Sequence, residues 1–134
     1  MRKIKHGKIL SLVLWLIALH SFFVGVGLLT MPSKIIEFLG FNSGGDRFFP
    51  DQGGMFHIIM AIAYSLPAIK ISKFESLVIF SIIVKFSATI FLSFYYFFAS
   101  SILIVLLSGI TDWLMGVAII LTYILYRQQH QGIH

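Results

Sequence analysis

Over residues 74–126 the chain is almost continuously apolar, interrupted by only three charged residues, Glu75, Lys85 and Asp112. A helix crosses the hydrocarbon of a bilayer with about 20 residues, so this stretch is too long for one crossing. Ala99-Ser100-Ser101 is the natural break, and it divides the stretch into spans at 76–98 and 102–126. Upstream, residues 9–29 form another uncharged run, ended by Thr30, Met31 and Pro32, since proline disfavours helical geometry in the residue before it. A shorter run at 52–69 follows Pro50, which suits a first helical turn where a missing N–H costs nothing. Pro67, near its far end, either kinks or finishes it.

Composition supports lipid as the solvent. Hydrophobic residues make up 58% of the 134 and charged residues 11%. A soluble domain of that size keeps most residues near water and needs a more polar surface. The basic start followed by an apolar run could imitate a secretory signal, but the run is about 20 residues long, lacks a small-x-small cleavage site and precedes further spans. It is expected to be a retained first span. The expected fold is therefore all-α, a polytopic, antiparallel four-transmembrane-helix bundle in one domain over 1–134.

Basic residues orient it. Both termini inside places Arg2, Lys3, Lys5, Lys8, Lys70, Lys73 and Arg127 on the cytoplasmic side, against Lys34 and Arg47 outside. The excess of Lys and Arg on one side predicts N-in, C-in. The formal charge of +5 thus flanks apolar runs, with anionic headgroups as a secondary attraction. No basic stripe interleaved with aromatics exists, so no nucleic-acid partner is expected. The outer connection, 30–51, contains a stretch at 32–39 with the composition of a short amphipathic helix stopped by Gly40, lying in the membrane interface. Asn42, Ser43-Gly44-Gly45 and Asp46 read as a flexible turn.

Within the spans the informative residues are His20, His57, Lys85 and Asp112, one to each. An ionisable group in hydrocarbon is costly unless it finds a partner or water. Counted from the Ser100 turn, Lys85 and Asp112 lie at depths of about 22 and 18 Å, within one helical turn of each other. In a hairpin they can pair, either to fix helix register or to serve function. Gly109, Asp112 and Gly116 share one face, where glycine permits close backbone approach. Ser81, Lys85, Ala88 and Thr89 form a comparable stripe. His20 shares a face with Val24 and Gly27, near the middle of its span. His57 shares one with Gly53, Ala61 and Tyr64, nearer the outer surface. The two histidines thus read at different depths and lack local His-x-x-x-His spacing, so neither a metal nor haem is expected, and no cofactor is predicted. Asp51 at the start of the second span reads as a helix-start carboxylate favoured by the macrodipole. With Tyr64 it could also form the mouth of a pocket. Phe91, Phe94, Tyr95, Tyr96, Phe97 and Phe98 resemble an interfacial aromatic belt. Cysteine chemistry is excluded by the absence of cysteine, and the glycine pairs do not form a phosphate loop.

The order of features, Leu28-Leu29-Thr30-Met31-Pro32, then Phe38-Leu39-Gly40-Phe41, then Asp51-Gln52-Gly53-Gly54, and Asp112 in the last span, resembles the DoxX-like group of small bacterial four-helix membrane proteins. That resemblance implies a compact four-helix bundle in a bacterial inner membrane and a link to quinone-dependent respiratory complexes, with no catalytic motif carried over. The functional expectation is a non-enzymatic membrane component. It either binds a lipid, quinone or isoprenoid, its polar centre orienting the head, or acts as an accessory subunit, with a partner subunit or a second copy on its small-residue stripes. The alternatives are a membrane enzyme with Lys85 or His57 as acid–base and Asp112 as the orienting carboxylate, and a proton-coupled oligomeric transporter. An enzyme requires a pocket where at least two of these residues converge, a transporter an aqueous path, and a subunit an outward-facing small-residue stripe.

Overall fold

The computed structural model describes residues 6–41 and 46–131. Arg2, Lys3 and Lys5 of the basic start, and the turn at Asn42 and Ser43-Gly44-Gly45, lie outside the described residues. Five helices follow in order: α1 (His6–Thr30), α2 (Ser33–Phe38), α3 (Phe48–Ile69), α4 (Glu75–Phe98) and α5 (Leu103–Gln131), with no strand among the described residues. Four of these, α1, α3, α4 and α5, are long and apolar enough to cross a membrane. Of the four, α3 has the lowest mean hydropathy, 1.3 against 2.1 or more for the others, because it carries Asp51, Gln52, Gly53, Gly54 and His57.

The helix boundaries follow local chemistry. Pro32 stands extended (φ −59°, ψ 144°) ahead of α2, separating it from α1. Gly40 takes φ +97°, a left-handed conformation open to glycine. There the Gly40 N–H reaches Glu37 O (2.9 Å) and the Phe41 N–H reaches Ile36 O (3.2 Å), the paired bonds that close a helix on a left-handed residue. The third helix begins one turn earlier than the apolar pattern suggests, with Pro50 in its first turn. Pro67 does not break it: α3 continues to Ile69, and Ser11 of α1 donates to the Ala68 carbonyl near its end (2.5 Å). Between α4 and α5 the expected break is present, with the Ala99 and Ser100 N–H groups both on Tyr95 O.

Cross-helix contacts run in opposite order along α1 and α3. Ser11 meets Ala68, Ser21 meets His57, and the Leu28 carbonyl meets Arg47. The same holds for α4 and α5: Glu75 meets Tyr123 and Arg127, Lys85 meets Asp112, and Thr89 meets the Gly109 carbonyl. Glycines make both pairings close. A Cβ on Gly25 would stand 2.8 Å from the Gly54 carbonyl oxygen, and one on Gly54 would stand 2.9 Å from that of Gly25. On α5, a Cβ on Gly116 would meet the Phe86 ring at 3.0 Å and Lys85 Cβ at 3.3 Å. Backbone approach of this kind is how helices associate when lipid outside is as apolar as the interface.

The two helix pairs join through one cluster: Leu10, Leu14, Ile17 and Ala18 of α1, Tyr64 and Ala68 of α3, Val78 of α4, and Ile119 and Tyr126 of α5. These residues occupy the first half of α1 and α4 and the last half of α3 and α5. Beyond them, on the face of α1 that carries Ile17, the side chain of His20 is exposed, Val24 is half-buried and a Cβ on Gly27 would meet nothing within 4 Å. Past Ile17 this face of α1 is therefore open. At the end of the bundle away from that cluster, Gly40 lies against Ile102.

Candidate functional site

Lys85 is held by a helix whose neighbouring turns are already spoken for. Ser81, fully buried, donates back to Leu77 O, and Thr89 donates to Lys85 O (2.9 Å) and to Gly109 O across the seam (3.3 Å). With hydroxyl groups satisfied above and below, the lysine extends between α4 and α5. Its Nζ donates to Asp112 Oδ1 at 2.5 Å. It also sits 5.4 Å from the centroid of the Tyr64 ring, a geometry in which the ring face attracts a cation. The side chains of Lys85 and Asp112 are 4% and 15% exposed. The ammonium is thus enclosed, and the carboxylate is the member that reaches the edge of the helix bundle. Asp112 makes no second hydrogen bond among the described residues.

The histidines stand differently from the sequence reading, which set them at unlike depths. Ser21, next to His20, bonds to His57, so the two imidazoles belong to one level. The physical reason is the early start of α3 at Phe48. Starting one turn sooner carries His57 about 6 Å further in. Both imidazoles lie within electrostatic reach of Lys85 and Asp112, and His57 feels His20 as well. The chain therefore brings the four polar residues into one neighbourhood, of which only Lys85 and Asp112 touch. His20 has no hydrogen bond among the described residues, and no group of three or more potential metal ligands is present among them.

Asp51 and Tyr64 do not share a pocket mouth. Asp51 lines a shallow groove on α3 with Phe48, Gln52, Met55, Phe56 and Ile59. Tyr64 is 1% exposed and belongs to the shared core. Nor does Asp51 cap its helix. Asp46 Oδ1 accepts the Phe48 N–H (2.9 Å), whereas Asp51 pairs with Arg47 one turn back (2.9 Å). A second shallow groove lies between Gly7, Lys8, Tyr126, Gln129 and His130. Neither groove contains any of His20, His57, Lys85 or Asp112.

Two residues escaped the sequence reading. Ser21 is a lone hydroxyl flanked by apolar residues and a histidine. Its polarity is its signal in the sequence, where the face containing His20 and Gly27 competes with it. Arg47 reads from the sequence only as a loop charge. Its guanidinium donates to the carbonyls of Met31 (2.5 Å), Leu28 (3.0 Å) and Leu29 (3.2 Å) at the end of α1. These are carbonyls that a helix end leaves without partners, and a cation is favoured there by the helix dipole. Asp51 steadies the guanidinium from the other side.

Four helices long and apolar enough to span a membrane, with a charged pair enclosed between two of them, fit a small membrane protein. Comparison with known proteins adds no narrower identity: no family model, no curated protein and no solved structure matches the chain significantly.

Proposed function

We propose that this chain is a non-enzymatic, antiparallel four-helix bundle of a bacterial inner membrane that holds the polar head of a lipid-soluble molecule beside Lys85 and Asp112. N- and C-termini face the cytoplasm in this reading, and α2 lies at the outer interface, as the distribution of Lys and Arg favours. The DoxX-like resemblance is a proposal of the same rank, carried by its short motifs alone. The observation that carries the ligand reading is the open face of α1 beyond Ile17. There an exposed His20 lies within electrostatic reach of a paired charge whose carboxylate reaches the edge of the bundle, and further along the same face a Cβ on Gly27 would meet nothing within 4 Å. Polar groups at that depth are tolerable when they meet each other or a polar guest, and the surrounding Phe and Ile side chains suit an apolar tail.

The accessory-subunit reading is weaker because Gly25, Gly54, Gly109 and Gly116 all face helices of the same chain. They are not free to receive a partner span. No single observation favours an enzyme or a transporter. Native mass spectrometry of the protein released from mild detergent tests the ligand reading. A hydrophobic molecule of defined mass is expected on the wild type and absent from a variant carrying Lys85→Met with Asp112→Leu. Equal occupancy in both, or none in either, would sink it.

A further inference from the structure

Resting on that ligand reading, we infer that the site selects a neutral, hydroxyl-bearing lipid, one that donates a hydrogen bond, over ethers, esters, acids and amines. The Ser21 hydroxyl has one proton, and it goes to the carbonyl oxygen of His57 at 2.9 Å, an atom that can only accept. The same hydroxyl oxygen lies 3.2 Å from His57 Nδ1. With its proton committed, it can meet that nitrogen only as an acceptor, so Nδ1 carries the hydrogen. A neutral imidazole has one N–H and one lone pair, which leaves Nε2 of His57 as an acceptor. Nε2 has no partner among the described residues, and the ring is half-buried. The second unfilled group is the remaining oxygen of Asp112, again an acceptor, on the more accessible member of the pair. Of the donors that could answer them, the Lys85 ammonium is enclosed over Tyr64, and the exposed His20 imidazole, unbonded among the described residues, brings one N–H beside one lone pair. The reachable edge of the polar centre thus has more acceptors than donors, on an ion pair with no net charge. An acid could accept the His20 N–H but would set its carboxylate against that of Asp112 and leave the other acceptors unfilled. A protonated amine would bring a charge that the neutral pair does not balance, at a large desolvation cost. An ether or ester oxygen has no proton to give. A hydroxyl on a long apolar body fits all three conditions.

The test uses the full-length protein in detergent micelles and two matched series: cetyl alcohol with cetyl methyl ether and palmitate, and geranylgeraniol with its methyl ether and its carboxylic acid. Binding is read by native mass spectrometry. At least one alcohol is expected to bind about tenfold more tightly than its ether and its acid, the factor for one hydrogen bond made or left unmade. Nitrogen-15 NMR of labelled histidine is expected to show His57 protonated at Nδ1, with the Nε2 resonance moving when the alcohol is added. Ser21→Ala should release that tautomer and reduce the preference for alcohol. If ethers or acids bind as well as alcohols, or if His57 carries its proton on Nε2, the hydroxyl inference is overturned while the ligand reading stands. If no probe binds and nothing copurifies, both fall together.

Discussion

Lys85→Met removes the ammonium and keeps much of the side chain's volume, because methionine is flexible and fills irregular space. The lost packing over Tyr64 is therefore small, and the effect comes from Asp112. Its carboxylate, 15% exposed, would stand without its Lys85 partner in an apolar setting. Removing one member of a buried pair costs about 3–5 kcal/mol. The variant is thus expected to lose about 3–5 kcal/mol. Adding Asp112→Leu replaces the pair by apolar side chains and should restore stability to wild type or above. Unfolding by increasing SDS in mixed micelles measures all three proteins. An unchanged midpoint for Lys85→Met, or a double variant as weak as the single, would refute the reasoning.

Gly25→Val forces a side chain into the Gly54 carbonyl and Ile58, each 2.8 Å from the new Cβ. It should cost at least about 1–3 kcal/mol, whereas Gly27→Val, which meets nothing within 4 Å, should stay within about 0.5 kcal/mol of wild type. Equal effects in SDS unfolding would show that the close crossing of α1 and α3 is wrongly placed. Arg47→Ala deprives the carbonyls of Leu28 and Leu29 in α1, that of Met31 just after it, and Asp51 of their donor and should cost about 1–3 kcal/mol. Lysine should rescue only part of this, since its ammonium cannot reproduce the planar fork. Amide exchange in the last turn of α1 reports that change, and wild-type protection in Arg47→Ala would dismiss the capping role.

The spans were legible because crossing a bilayer is a matter of length and hydropathy, both written in the order of residues. The pairing of Lys85 with Asp112 was legible for a related reason. In two helices joined by a short turn, counting outward from Ser100 gives relative depth, and one costly charge at the depth of another needs it. The α2 stop was equally local, since a glycine after a short apolar–polar segment carries its own conformational explanation. Arg47 shows the opposite case. It acts on carbonyls 16 to 19 residues earlier in the chain, and no local pattern announces that a loop arginine will fold back over a helix end.

The choice of face on α1 has a different physical cause from the depth of His57. In water, a helix tells its buried face by its apolar stripe, but lipid makes the outside as apolar as the inside. Phe23, 66% exposed, and Leu14, fully buried, carry the same hydropathic message. Depth can then be counted along a span, but the direction a residue faces around the helix cannot be read from hydrophobicity. Only small or polar residues mark it, and α1 offers two candidate markings. One runs through His20 and Gly27, the other through Ser21 and Gly25. The second faces α3, because the Gly25–Gly54 approach and the Ser21–His57 bonds need each other: without glycine the backbones stay too far apart for the short serine to reach across. Turning α1 that way leaves His20 and Gly27 on the open face. The same rotation therefore underlies the proposed tautomer of His57 and leaves His20 exposed within electrostatic reach of the ion pair, so the chemistry proposed for this centre depends on the packing of two glycines.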